Sequence, residues 1–110
     1  MNPSMSYYTV AEFDLTDRSW VAAYVKDVTP MLERYGGRYL ARTSNFERIE
    51  GDRALPQMML LLEWPSREAA LRFYQSDEYQ PYLQARLGGS HGQFYLVPGE
   101  DVTNTAQPRS

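Results

Sequence analysis

A chain of 110 residues supports one domain with short extensions, and at that size roughly two-thirds of the unfolded surface can be buried, so a core needs no staples. Carboxylates outnumber lysine and arginine 14 to 11 and no basic run is present, which removes the electrostatic footprint of a nucleic-acid binder. With no cysteine and one histidine, disulfides, thiolate sites and a metal constellation are excluded, and the redox chemistry fits a cytoplasmic location.

Taken in order, residues 1–5 read as a flexible leader without a signal-peptide pattern, and no apolar run approaches membrane-spanning length. Residues 6–15 alternate as a strand, with Tyr7, Thr9, Ala11 and Phe13 on one face and Tyr8, Val10, Glu12 and Asp14 on the other. Thr16 or Asp17 is placed to cap a helix whose apolar face carries Trp20, Tyr24, Val28, Met31 and Tyr35, widened by Val21, Val25 and Leu32. Pro30 falls inside this pattern and removes the hydrogen bond to the Lys26 carbonyl, so a kink or a restart capped by Thr29 is expected. Gly36-Gly37 stops the helix.

A second, less regular strand is expected over 38–50, with a bend or bulge at 43–45, followed by a short connection over 51–56. Residues 58–63 form an apolar run too short for a buried helix and ended by Trp64-Pro65. Both of its faces are apolar except at Glu63, the pattern of an interior strand covered on both sides. Ser66 suits an N-cap, with Glu68 favourable to the helix dipole and Ala69, Ala70, Phe73 and Tyr74 forming the stripe. Pro81 fits only a first turn, so a further helix starts near Asp77 or Glu78 with Tyr79, Tyr82, Leu83 and Leu87 inward, ending at Gly88-Gly89. Residues 91–97 make the last strand, and the polar 99–110 form a tail.

Strand, helix, strand, strand, helix, strand is the ferredoxin-like βαββαβ order, an α+β domain over 6–98 with a four-stranded antiparallel sheet. Two principal helices cover one face of such a sheet. The apolar residues on the other face would expose a larger patch than a soluble monomer tolerates, so a homodimer through the sheet face is expected.

Several segments then resemble a known family. The run Tyr35-Gly36-Gly37-Arg38-Tyr39-Leu40-Ala41-Arg42, the pieces Glu50-Gly51-Asp52 and Glu63-Trp64-Pro65-Ser66, the helix end Phe73-Tyr74-x-Ser76-x-Glu78-Tyr79, and Arg86 are similar to signatures of a bacterial domain-of-unknown-function family. That family belongs to the dimeric α+β barrel superfamily, and the resemblance spans about residues 7–98. It implies a ferredoxin-like protomer and a dimer whose sheets form a barrel, and it brings no agreed activity or catalytic residues. Thr43-Ser44-Asn45 after Arg42 stands where relatives carry Gly-Gly, and Trp64 where they carry Phe. The superfamily includes cofactor-independent monooxygenases and small isomerases acting on aromatic or polyketide-like compounds.

The candidate ligand pocket is expected between sheet and helices, drawing on Tyr24, Arg42, Glu63, Tyr74 and His91. With the 51–56 connection setting the register, Glu63 comes within diagonal reach of Arg42. Such a pair either holds a ligand anion and accepts a proton or, the favoured reading, is an ion pair fixing two strands. His91 could be a base but reads first as a surface residue at a strand start, and that position disfavours haem. The tyrosines on helical stripes, among them Tyr24 and Tyr74, read as core with the hydroxyl reaching water, or as pocket lining. Two functions stay open: a cofactor-free dimer that binds or converts a small aromatic or polyketide-like molecule in that cleft, and a non-catalytic dimeric metabolite-binding or accessory module.

Overall fold

Alternation and turn chemistry produce seven elements in the computed structural model, which describes residues 5–103. They are β1 (Tyr7–Leu15), α1 (Val21–Arg34), β2 (Arg38–Thr43), β3 (Met58–Trp64), α2 (Arg67–Gln75), α3 (Gln80–Gly88) and β4 (Ser90–Pro98). Residues 1–4 of the expected leader and 104–110 of the expected tail lie outside the described residues.

The sheet is antiparallel in the order β2-β3-β1-β4, so the two strands that are apolar on both faces are the two central ones. Tyr7, Thr9, Ala11 and Phe13 of β1 stand beside Trp64, Leu62, Leu60 and Met58 of β3, and this face carries the core. The three helices pack on it through Val28, Met31 and Leu32 of α1, Ala69, Ala70 and Phe73 of α2, and Leu83 of α3. The smallest dimension, 17 Å, has room for one sheet and one helix layer. The opposite face is left open, and on it Leu61, Leu40, Tyr95 and Val97 are 40%, 46%, 56% and 39% exposed.

Local chemistry explains most boundaries. Ser66 caps α2, its Oγ accepting from the Ala69 N–H at 3.0 Å. Tyr79 caps α3 at the backbone only, and Pro81 sits in the first turn, where its missing N–H costs nothing. At the end of α1, Gly36 N–H donates to the Glu33 carbonyl at 3.0 Å and Gly37 N–H to the Leu32 carbonyl at 3.2 Å, with Gly36 at φ +92°. These are the two bonds of a Schellman stop, which places the chain directly into β2. Gly37 is required by space: a Cβ there would come within 2.7 Å of the Trp64 ring.

Three expectations are corrected here. First, α1 starts later than a Thr16 or Asp17 cap predicts, with Trp20 at the N-cap and no side-chain cap bond. Asp17 is used differently: its carboxylate accepts from the Ser19 N–H and Oγ, both at 2.9 Å, which makes a tight turn before the helix. Those bonds, the backbone one first, pull the Asp17 carboxyl below its ordinary pKa.

Second, Pro30 lies within one continuous α1, so of the kink or restart expected there the restart is not taken; the Thr29 Oγ1 donates to the Val25 carbonyl at 2.9 Å beside it. Third, β2 ends at Thr43, not at residue 50, and its irregularity falls between Tyr39 and Ala41. Residues 44–57 are a loop that lies over one end of the open face, against Glu12 and Met59. Gln57 anchors its end, its N–H donating to the Asp14 carboxylate and its Oε1 accepting from the Leu15 N–H, both at 2.8 Å.

Candidate functional site

Between the sheet and the helices is a cavity of about 310 Å³. That is near the lower end of the range for small-molecule sites, which runs from about 300 to 1,000 Å³. Its walls are aromatic: Tyr39 of β2, Trp64 of β3, Phe73 and Tyr74 of α2, Tyr24 of α1, Tyr79 before α3, and Phe94 of β4, with Leu32, Leu62, Leu71 and Leu96 filling between them. The rings interlock, Phe73 against Tyr79 with centroids 4.3 Å apart and Trp64 against Phe73 at 5.5 Å. The indole N–H of Trp64 donates to Thr9 Oγ1 at 3.0 Å, so this polar group is satisfied within the wall.

Polarity gathers at one place. The hydroxyls of Tyr24 and Tyr79 share a 2.6 Å hydrogen bond. Burial, with Tyr79 as the next cause, raises the Tyr24 pKa well above its ordinary value, so this hydroxyl keeps its proton. Arg86 lies behind the pair, 5% exposed, with its guanidinium 3.8 Å from the Phe94 ring centroid. Burial works against its charge, but the interactions with Tyr79 and Tyr24 outweigh it and hold the Arg86 pKa above the ordinary arginine value. Its Nε is buried without a hydrogen-bond partner, and no carboxylate pairs with it among the described residues.

The expected residues divide between the two faces of the sheet. Tyr24 and Tyr74 line the cavity. Arg42 is exposed beside it, its guanidinium 4.0 Å from the centroid of the Tyr39 ring and its Nη1 donating to Thr29 Oγ1 at 3.2 Å. Burial raises the Tyr39 pKa, while Arg42 acts in the opposite direction. Glu63 and His91 are elsewhere. Glu63 projects from the open face, opposite Tyr8 of β1, and His91 is exposed on β4 opposite Asp14.

The Arg42–Glu63 pairing is therefore corrected. Arg38 is the residue opposite Glu63, and its Nε and Nη2 both reach Oε1 at 2.7 Å, while Arg42 stands opposite Leu60 on the helix side. The reason is the connection: a loop over 44–57 does not transmit register as a tight hairpin would. Exposed pairs of this kind contribute about 1 kcal/mol or less. Glu63→Gln is expected to lower stability by no more than that in urea denaturation and to leave cavity binding unchanged; a loss of binding would return Glu63 to the site.

Among the helical tyrosines, the hydroxyls of Tyr35 and Tyr82 find protein partners where water was expected. Tyr35 donates to Glu78 Oε2 at 2.9 Å, and Tyr82 to Asp27 Oδ2 at 2.7 Å, a bond that raises the Tyr82 pKa. Arg86 was the residue that pattern reading left out of the site. Its signal was present: Tyr79, Leu83 and Arg86 follow i, i+4, i+7 spacing, whereas Leu87, assigned inward for being apolar, is 53% exposed.

Comparison with known proteins places this architecture. No curated protein matches the chain. Among solved structures, the RPA0582 protein of unknown function from Rhodopseudomonas palustris superposes with a TM-score of 0.75 at 15% identity, covering 91% of this chain and 85% of that one. Its methylated form gives the same TM-score, covering 89% and 83%. SnoaB, a cofactor-independent oxygenase from Streptomyces nogalater, superposes with a TM-score of 0.64 at 14% identity, covering 89% of this chain and 96% of that one. At these identities the likeness establishes the ferredoxin-like α+β fold. The family model for the domain of unknown function DUF1330 matches residues 6–100, nearly the whole described chain, and the protein belongs to that family.

Proposed function

We propose that this protein binds a small aromatic or polyketide-like molecule in the cavity between sheet and helices, as a homodimer and without a cofactor. The observation that carries the reading is the cavity itself, about 310 Å³ with aromatic walls and one polar end at the Tyr24–Tyr79 hydroxyl pair. Flat apolar ligands gain from such walls through area burial and ring contacts, and the polar end fixes orientation. The dimer is supported by Leu40, Leu61, Tyr95 and Val97 standing together on the open face. Among the described residues no helix is long and apolar enough to cross a membrane.

A catalytic reading has one specific support. SnoaB, with the same fold, is a cofactor-independent oxygenase, and the hydroxyl pair would give a reacting ligand a proton donor here. Against it stands the lining, which among the described residues holds no carboxylate and no imidazole to serve as base. Binding is thus the primary function proposed, with turnover dependent on a ligand that is itself reactive.

A thermal-shift screen of hydroxynaphthalenes, hydroxyanthraquinones and aromatic lactones tests this. A ligand present at 100 times its dissociation constant should stabilise the fold by about 2.7 kcal/mol. Leu71→Trp, which narrows the cavity from α2, should cancel the shift. A panel without hits, or a shift that persists undiminished in Leu71→Trp, would overturn the assignment.

A further inference from the structure

We propose that Arg86 and the Tyr24–Tyr79 hydroxyl pair form an anion-accepting end of the cavity, so that its ligand is an aromatic molecule with an acidic hydroxyl, a phenol or enol, held as its oxyanion. This rests on the reading of the cavity as a ligand site and adds the chemical class of the ligand.

Charge balance is the first argument. Arg86 is a buried cation with no carboxylate partner among the described residues, its charge met only by the Tyr24 and Tyr79 hydroxyls and the Phe94 ring, and a full counter-charge would suit that position better. The Tyr24 hydroxyl does not neutralise it by ionising, because burial holds that hydroxyl protonated. Its guanidinium is kept in place by the Phe94 ring at 3.8 Å and keeps an unpartnered Nε, so donor capacity remains. An anion arriving in the cavity would supply the missing charge.

Proton counting is the second. A pair of hydroxyls joined by one 2.6 Å hydrogen bond needs only one O–H for that bond, so the other O–H is left to donate. Both rings line the cavity, and Arg86 interacts with both, polarising them toward donation. The pair therefore offers a ligand oxygen a charge-assisted donor instead of a base. An oxyanion on a ring satisfies that donor and the charge behind it, while its flat body meets the aromatic walls. A neutral ether or ketone of the same shape meets the walls and leaves Arg86 uncompensated.

The test uses two coloured probes of matched shape, 4-nitrophenol and its methyl ether 4-nitroanisole, titrated into the intact protein. On binding, 4-nitrophenol should release its proton to solvent, its phenolate absorbance appearing about one pH unit lower than in water, a roughly tenfold preference for the anion. Arg86→Met should remove that preference while still binding the ether and melting no lower than the parent, since an apolar side chain suits a buried position. Arg86→Lys, which keeps the charge, should retain part of the preference, and this separates electrostatics from packing should the Met variant fold poorly. Equal binding of phenol and ether, or a preference unchanged in Arg86→Met and Arg86→Lys, overturns the anion site and leaves the cavity reading standing. If neither probe nor any member of the aromatic panel binds, both readings fall together.

Discussion

Leu61→Asp is expected to turn the proposed sheet-face dimer into a monomer. Leu61 lies at the middle of the open face, on the central strand β3 between Val10 of β1 and Ala41 of β2. An aspartate there would add a carboxylate to a face that already carries Glu12, Asp14 and Glu63, Glu12 and Glu63 lying two positions along on the neighbouring and same strands. A face-to-face contact would have to bury that charge beside those carboxylates; a buried charge left unpaired costs about 3–5 kcal/mol, and the two-fold axis doubles it. Sedimentation velocity at micromolar concentration should show a mass near twice 12.7 kDa for the parent and near 12.7 kDa for the variant. Far-UV circular dichroism should be unchanged, because the core lies on the other side of the sheet. A parent that sediments as a monomer would remove the sheet-face dimer altogether.

Trp64→Ala should be the most damaging single change to the protomer. Trp64 is among the largest fully buried side chains, and it joins three parts of the structure. It packs against Phe73 of α2, it leaves room only for a glycine at position 37, and its N–H satisfies Thr9 of β1. Truncations of this size in a core cost about 3–5 kcal/mol, a large part of the 5–15 kcal/mol by which a domain of this kind is stable. The melting temperature at fixed protein concentration should fall by roughly 10–20 °C. Trp64→Phe should cost much less, since it keeps most of the ring contact and loses one hydrogen bond. If both variants melt alike, the indole does not hold these elements together.

The architecture was legible because its signals are local. The two-faced apolar character of β1 and β3 marked them as central, Ser66 announced α2, and Gly36-Gly37 announced the stop of α1. The site was only half legible, for two physical reasons. Register across β2 and β3 depends on a 14-residue loop over 44–57 without regular structure, so the partner of Glu63 could not be read from spacing, and Arg38 holds that place. Polarity misled on α3, where the apolar Leu87 was preferred inward although helix geometry turns the charged Arg86 to that side. A charged residue on an inward position breaks the usual pattern, and such breaks are where a site is to be sought.

The pairing of β1 with β4 runs from Tyr7 opposite Pro98 to Leu15 opposite Ser90, and the Gly99 N–H extends it to the Ser6 carbonyl at 2.8 Å. The first and last strands of the domain are thus joined along their whole length, across the greatest sequence separation in the fold. A nascent chain can pair β1 with β3 early, but β1 lacks its second neighbour until β4 has been made. Closing a loop of that size carries its entropy cost before the ladder compensates it, which places completion of the sheet late in folding. Until then one edge of a central, apolar strand stands open, and that interval, not the finished fold, is when this protein is most exposed to pairing with another chain.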